Sequence, residues 1–376
     1  MHVIVVGAGI GGLATAAGLQ RAGTRVTVLE RAPGARVVGS GLSLFGNGLT
    51  ALDVLGLGDA ARAATGPGHR LLAGQRRPDG SWLSRTPPDA VRRLRVVHRA
   101  DLHRLLEDAL APGTVHWGCE VTGVDDDGTV RLRDGAERAD VVVAADGIRS
   151  RVRAGWPGDP GLRYAGYTAW RGVTAVPVDL RGAAGETWGR GLRFGMAPLA
   201  DGRVYWFAVA SAPAGGRADD EHAAVAHLFA GWHEPVGELL AATRPADVSR
   251  SDVHDLAGPM PSLRRGRVVL LGDAAHAMTP DLGQGANQAL EDAATLTALL
   301  SGGGPGLDPD EALDRYDRLR RPRVRRIARR ARAVGRVAQA RGSVTSRVRD
   351  TVLRLTPPSA AGRQLAAVEA WALPHA

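Results

Sequence analysis

Three short clusters of glycine and acid carry the chemistry available to this chain. The first is Gly7-Ala8-Gly9-Ile10-Gly11-Gly12, with Glu30 standing 18 residues beyond the last glycine. Gly7 permits a tight turn. The missing side chain at Gly9 lets backbone N–H groups approach a pyrophosphate, and Gly12 lets a following helix pack closely on its strand. The positive end of that helix then faces the phosphates, and Glu30 can accept hydrogen bonds from a ribose diol. The second cluster is Ala145-Asp146-Gly147-Ile148-Arg149-Ser150, and the third is Leu271-Gly272-Asp273-Ala274-Ala275-His276. The third continues through Pro280 to Gly283-Gln284-Gly285-Ala286-Asn287. A Gly-x-Gly that opens a helix leaves free N–H groups and a positive dipole end suited to negative charge on a ligand. Taken alone, Asp273 also reads as a helix N-cap, and His276 as a catalytic group or a structural one.

These clusters need elements to position them. The run 2–6 is apolar and β-branched, a buried strand; 13–22 is an Ala/Leu-rich helix stopped by Gly23; 25–29 is a second strand ending at Glu30. Strand, glycine turn, helix, strand, acid is the full context that a dinucleotide turn requires. Farther on, a helix is expected around 49–55, two short strands flank the turn 77–81, and a helix covers 99–110. The segments 114–124 and 129–132 read as a hairpin, and 139–145 as a buried strand. From 162 to 210 strand-like runs follow one another without helices, which argues an antiparallel sheet. A helix over 222–240, a strand over 267–271, a helix over 283–300 and a long helical stretch over 309–341 interrupted by Pro322 complete the reading. No second dinucleotide turn is found; the glycine run 302–306 follows a helix, not a strand.

The three motifs in this order resemble the group A flavoprotein monooxygenases, the para-hydroxybenzoate-hydroxylase-like family, over nearly the whole chain to about residue 340. The resemblance implies an α/β fold: a Rossmann-like FAD-binding domain, an interleaved antiparallel β-sheet substrate domain and C-terminal helices. The expected boundaries are 1–70, 96–160 and 258–310 for the FAD domain, 71–95 and 161–257 for the substrate domain, and 311–376 for the C-terminal helices. It also implies cofactor contacts at Gly7, Gly9, Gly11, Gly12, Glu30, Arg31, Arg99, Val121, Asp146, Asp273, Gly283, Gly285 and Ala286. Arg99 would reach the FAD phosphates, the backbone of Val121 would meet the adenine, and Asp273 would hydrogen-bond the ribityl chain. Arg36 is a looser match. In such enzymes NADH or NADPH reduces FAD, and O2 adds to give a flavin C4a-hydroperoxide. Its outer oxygen passes to an electron-rich carbon, with the flavin supplying the hard chemistry. The expected substrate is a small aromatic or heteroaromatic compound. The alternative is a flavin oxidoreductase of the same fold that does not insert oxygen.

Arg193, Tyr205 and Pro280 are the expected catalytic residues. Arg193 and Tyr205 lie on consecutive strands either side of Asp201-Gly202, so they are expected nearly opposite each other and on one face. This spacing resembles the urate-hydroxylase branch; a salicylate-hydroxylase-like relation is also implied. Arginine there would stabilise an anionic substrate oxygen, or the two residues form a cross-strand structural pair. Pro280 would pack beside the flavin ring. Met196, Phe207, Trp170 and Trp188 are candidate apolar walls, each more readily read as plain core.

Composition narrows the alternatives. All 48 basic residues are arginine, so no mechanism that needs a lysine is open. One cysteine, Cys119, excludes an intrachain disulfide and any Cys-rich metal site, and no metal is expected. The net charge of +9 suits anionic partners, but aromatics are 4% of the chain and no basic–aromatic interleaving occurs, so no nucleic acid is expected. The twelve arginines of 315–341 read as the solvated face of a helix whose Leu319, Val324, Ile327, Ala331 and Val334 face inward. No apolar run approaches 18 residues, and the start reads poorly as a signal peptide. The expectation is a cytoplasmic enzyme, monomer or homodimer, with no membrane partner.

Overall fold

The structure is a computed structural model that describes residues 1–35, 40–65, 71–301 and 308–373. Arg36 and the glycine run 302–306 lie outside the described residues. The chain opens with β1 (His2–Val6), α1 (Ile10–Arg21), β2 (Arg25–Glu30), β3 (Gly41–Leu44), α2 (Gly46–Val54) and α3 (Gly58–Thr65). It continues through β4 (Ala73–Arg76), β5 (Trp82–Thr86), α4 (Pro88–Val91), β6 (Arg95–His98), α5 (Arg99–Asp108) and β7 (Val115–Trp117). Next come β8 (Val121–Val124), β9 (Thr129–Leu132), β10 (Gly135–Arg138), β11 (Val141–Ala144) and α6 (Arg151–Ala154). Then follow β12 (Leu162–Val173), β13 (Gly185–Trp188), β14 (Leu192–Pro198), β15 (Val204–Ala210), α7 (Glu221–Leu228) and α8 (Val236–Ala241). The last elements are β16 (Ser249–Leu256), β17 (Arg264–Arg265), β18 (Val268–Leu270), α9 (Asp273–His276), α10 (Gly285–Ser301), α11 (Pro309–Ala338), α12 (Ser343–Leu355) and α13 (Pro358–Glu369).

One sheet has the order β17-β18-β11-β1-β2-β7, parallel except at the β17–β18 edge. Its central strands are apolar on both faces, as a sheet covered on both sides requires: Val3, Ile4, Val5, Val141, Val142 and Val143 are fully buried. A second sheet, β16-β12-β15-β14-β13-β4-β5, is antiparallel except between β13 and β4. Strands β4 and β5 thus leave the first part of the chain to join strands far downstream, and this produces the interleaving. The α/β fold with a Rossmann-like unit, an antiparallel sheet and C-terminal helices is the fold of this protein.

Five local expectations are corrected. Residues 114–124 do not form one hairpin arm: β7 extends the parallel sheet beside β2, and only β8 pairs with β9. The positive φ at Gly118 separates them. The helix expected over 222–240 is two helices, broken where Gly231 takes φ +74 and Pro235 follows. Pro322 does not interrupt α11, which runs unbroken from Pro309 to Ala338. Val324, Ile327 and Ala331 are buried beyond the proline and hold the helix on the core, while Leu319 is 37% exposed rather than inward. The arginines of α11 are not all solvated: Arg320 is 1% exposed, and Arg332 is paired with Asp255.

Candidate active site

The three motifs meet at the carboxyl ends of adjacent strands. Val6 pairs with Ala144, and Ala144 with Leu270. The ladder runs on into the motifs: Ala145 N–H donates to the Val6 carbonyl (2.9 Å) and Leu271 N–H to that of Ala144 (3.0 Å). Gly7 takes φ +104 and lies so close to the second motif that a Cβ would stand 2.6 Å from the Ala145 carbonyl oxygen. At Gly12 a Cβ would stand 2.0 Å from the Gly7 carbonyl oxygen, so the helix can sit on its own turn only with glycine there. At Gly11 a Cβ would stand 2.6 Å from Leu271 of the third motif. Gly9 is different. It is exposed between buried neighbours, and a Cβ there would meet nothing within 4 Å. It caps α1, which receives no side-chain cap, so the positive helix end opens on free space. Glu30 braces the turn from the next strand: Ala8 N–H donates to Oε2 and Ala32 N–H to Oε1, each at 2.8 Å.

The other residues expected at the cofactor border the same region. Asp146 Oδ2 accepts from the N–H groups of Arg151 (2.8 Å) and Val152 (3.3 Å), while its Oδ1 is buried and unpartnered among the described residues. Arg31 and Asp146 line one cavity of about 320 Å³ together with Arg149 and His254. Val121 is buried at the start of β8, and Arg99 opens α5 with an exposed side chain, its N–H donating to the Ser40 carbonyl (2.8 Å). Asp273 is exposed between buried residues; Gly272, not Asp273, is the N-cap of α9, and no side chain caps that helix. Its carboxylate faces Gly285, whose Cβ position lies 4.0 Å from Oδ1. Pro280 and Gly283 are exposed as well, Gly283 at φ +62, and Gly285 and Ala286 open α10 half-buried. Asn287 fixes this turn, its Nδ2 donating to the carbonyls of Ser43 and Gly283 and its Oδ1 accepting from Phe45 N–H, all at 2.9 Å. A larger depression of about 770 Å³ lies at the far end of α1, around Gln20, Arg21 and Thr24, away from every motif.

The antiparallel sheet faces this region through Tyr205, whose ring lies 2.2 Å from where a Gly41 Cβ would be. Arg193 and Tyr205 are on one face, but they are not opposite. Arg193 pairs with Val209 and Tyr205 with Ala197, because the ladder closes at Leu199 and Arg203. Arg193 is 2% exposed and committed elsewhere. Its Nη2 donates to Asp281 Oδ1 (2.6 Å), its Nε to Gln339 Oε1 (3.1 Å), and Nη1 stands 3.6 Å from Glu186. Tyr167 OH donates to the other Asp281 oxygen at 2.6 Å. Loss of solvent, then the Asp281 charge, push the Tyr167 phenol well above its usual range, so it stays a donor. Burial likewise raises the Tyr205 phenol, against the pull of Arg171 and Arg99. Phe207 shares this face, its ring over Gly195. Met196 and Trp170 are on the opposite face, buried with Phe194, Trp206 and the α7–α8 helices, so they form core and not pocket wall. Trp188 is buried beneath Ala338 and Leu353.

Sequence reasoning missed Asp281, Tyr167 and Gly41. Asp281 sits inside the Pro280–Gly283 stretch already singled out, an acid that the motif reading passed over. Behind the site, His276 Nε2 meets Asp292 Oδ2 at 2.6 Å, and Arg320 bridges Asp292 (2.6 Å) and Glu291 (2.5 Å). His276 therefore faces the buried charge network.

Residues 1–331 match a family model described as an FAD binding domain. The chain is 37% identical over 369 residues to an aurachin C monooxygenase/isomerase of Stigmatella aurantiaca, with 94% of each chain covered. It is 40% identical over 350 residues to a 3-amino-4-hydroxybenzoate 2-monooxygenase of Streptomyces cremeus, covering 88% of this chain and 86% of that one. Its fold is similar to that of Klebsiella pneumoniae HpxO, solved with FAD and uric acid, at a TM-score of 0.88 and 32% identity, covering 98% and 96% of the two chains. A glycine cradle that a Cβ would fill, an uncapped helix end and the Asp146 Oδ1 atom, without a partner among the described residues, fit the cofactor of these relatives, and the chain belongs to the family of FAD-dependent monooxygenases.

Proposed function

We propose that this protein hydroxylates a small, electron-rich aromatic or heteroaromatic acid in the cytoplasm, working as a monomer or homodimer. The balanced reaction is substrate–H + O2 + NAD(P)H + H⁺ → substrate–OH + NAD(P)⁺ + H2O. FAD, held by the residues below, would supply the redox chemistry between NAD(P)H and O2. The chain supplies the holding groups. Gly7, Gly9, Gly11 and Gly12 with the α1 end would take the pyrophosphate, helped by Arg99. Glu30 and Arg31 would take the ribose side, with Val121 and Asp146 bordering the adenosine half. Asp273 would take the ribityl hydroxyls, and Gly283, Gly285 and Ala286 the electron-rich edge of the ring. Pro280 would pack against the ring.

The single observation behind this reading is the meeting of three motifs at neighbouring strand ends, with Tyr205 of the second sheet packed over Gly41 of β3. It also moves anion recognition away from Arg193, whose charge is already met by Asp281 and Glu186. Arg193 holds Asp281 in place. Arg171 lies on the Tyr205 face, paired across from Phe207, and its side-chain partners are Ser251 and Tyr205. Among the described residues it has no carboxylate partner, so it is a guanidinium on this face left to meet an acidic substituent. Arg171→Met is expected to raise KM for an aromatic acid tenfold or more with little change in flavin content. Unchanged KM would remove Arg171 from the site.

The test of the reaction is NAD(P)H oxidation with candidate aromatic acids under ¹⁸O2. One labelled oxygen per product is expected; an oxidised product without label overturns oxygen insertion. Asp273→Ala is expected to weaken FAD binding by about 10- to 100-fold, since charge-assisted hydrogen bonds contribute about 1.5–3 kcal/mol. Full flavin content and unchanged turnover would count against the ribityl role.

A further inference from the structure

Helix α12 is amphipathic in the wrong sense for a helix that ends at water. Val344, Val348, Val352 and Leu355 recur at intervals of four, four and three, so they form one stripe. All four point outward, exposed by 68%, 58%, 57% and 77%. The polar residues face in: Ser346, Arg349 and Asp350 are buried. Arg349 is held by Asp350, and its guanidinium donates to the carbonyls of Gly189 and Ala338 and lies over the Trp188 ring. Asp350 also binds Arg77. The orientation of α12 is therefore fixed by buried ion pairs, and the apolar stripe cannot simply roll inward.

The charged groups exposed on and beside α12 are mainly arginines. Arg347 and Arg354 of the same helix are exposed, as are Arg336 and Arg341 just before it and Arg363 just after it. Acids are scarce: from 336 to 373 the sequence has only Asp350 and Glu369. Asp350 is buried in the pairs above, and Glu369 accepts from Gly46 N–H at 3.0 Å. Asp79, in the neighbouring turn, is the acid whose charge reaches Arg354. Two copies of this face brought together would oppose arginine to arginine. A negatively charged lipid surface instead meets the arginines with opposite charge and takes up the aliphatic stripe.

We infer that α12 docks this protein on an anionic membrane surface, lying in the interface with Val344, Val348, Val352 and Leu355 among the lipid chains. This replaces the expectation of no membrane partner and stays compatible with a chain in which no described helix is long and apolar enough to span a bilayer. It does not depend on the substrate reading. The same helix packs Leu353 beside Trp188 and Leu83, so docking sets the edge of the antiparallel sheet at the lipid headgroups.

The experiment is co-sedimentation of the FAD-loaded protein with vesicles. One set is phosphatidylcholine alone; the other contains phosphatidylglycerol at about one-third. Binding to the anionic vesicles is expected, weakening at high salt, with little binding to the zwitterionic set. Val348→Asp/Val352→Asp is expected to lower the bound fraction at least tenfold while leaving flavin content and the far-ultraviolet spectrum unchanged. Arg347→Gln/Arg354→Gln, which leaves the stripe intact, is expected to reduce binding severalfold and flatten the salt dependence. No binding of the wild-type protein to anionic vesicles overturns the inference, as does binding that the valine variant retains in full. Light scattering that shows a wild-type dimer made monomeric by Val348→Asp/Val352→Asp also overturns it, because the stripe is then an interface between copies.

Discussion

Gly9→Val is expected to yield folded protein that purifies colourless. The backbone at Gly9 is extended, with φ −75 and ψ 175, a conformation that valine adopts without strain. A Cβ there would meet no protein atom within 4 Å, so the apoprotein has room for the side chain. That room is where backbone N–H groups must approach a pyrophosphate, and two methyl groups fill it. FAD affinity is expected to fall more than 100-fold, about 2.7 kcal/mol or more. The thermal midpoint measured without flavin should stay within a few degrees of the wild-type apoprotein. Gly12→Ala is the contrasting case. Its Cβ would stand 2.0 Å from the Gly7 carbonyl oxygen, so the apoprotein itself should lose stability. A Gly9→Val protein that retains full flavin would separate the glycine turn from the cofactor and undo the assignment of the whole first motif.

Arg320→Met is expected to lower stability by about 3–5 kcal/mol, a fall in thermal midpoint on the order of 5 °C for a chain of this size. The guanidinium is almost fully buried and joins Glu291, Asp292 and Gln288, linking α10 to α11. Removing it strands two buried carboxylates with only part of their pairing, Arg323 on Glu291 and the His276 hydrogen bond on Asp292. Burial alone would raise the Asp292 pKa, but His276 and then Arg320 overcome it and hold the carboxyl below its usual range. The native state thus favours ionised Asp292 more than the unfolded chain does. Its contribution is complete above the ordinary carboxylate pKa, about 4, and is lost as pH falls from there toward the depressed native value. The gap between Arg320→Met and wild type should therefore be wide at pH 7 and narrow in acid. Equal unfolding midpoints at pH 7 would show that the bridge contributes nothing net.

How much of this was legible before the fold was known depends on the range of the interactions involved. The glycine turn, the two strands around it and the acid at the end of the second were readable, because backbone geometry within thirty residues dictates residue type there. The three motifs could be placed in order, but only strand pairing between β1, β11 and β18 brings them side by side. The hairpin β14–β15 shows how a correct face can carry a wrong register. Strand alternation places Arg193 and Tyr205 on one side, while the turn closes between Leu199 and Arg203 and sets them four residues apart. No element is expected at β16, where Ser249, Arg250, Ser251, Asp252 and Asp255 leave no apolar strand pattern. Its pairing with β12 makes it a sheet edge where such side chains keep water or find partners, as Asp255 does with Arg163. Pro322 misled in the other direction: a missing N–H at one position of α11 weighs less than the buried residues on both sides.

The order of strands in the parallel sheet has a consequence for synthesis. Strand β11 is made with one neighbour, β1, already available, but its other neighbour, β18, follows only after the entire antiparallel sheet has been translated. Until then the nascent chain carries an open, valine-rich edge and lacks Asp273 and the start of α10. The yellow prosthetic group therefore finds a finished seat only after residues through Gly285 have left the ribosome, and the unpaired edge is an aggregation hazard in the meantime.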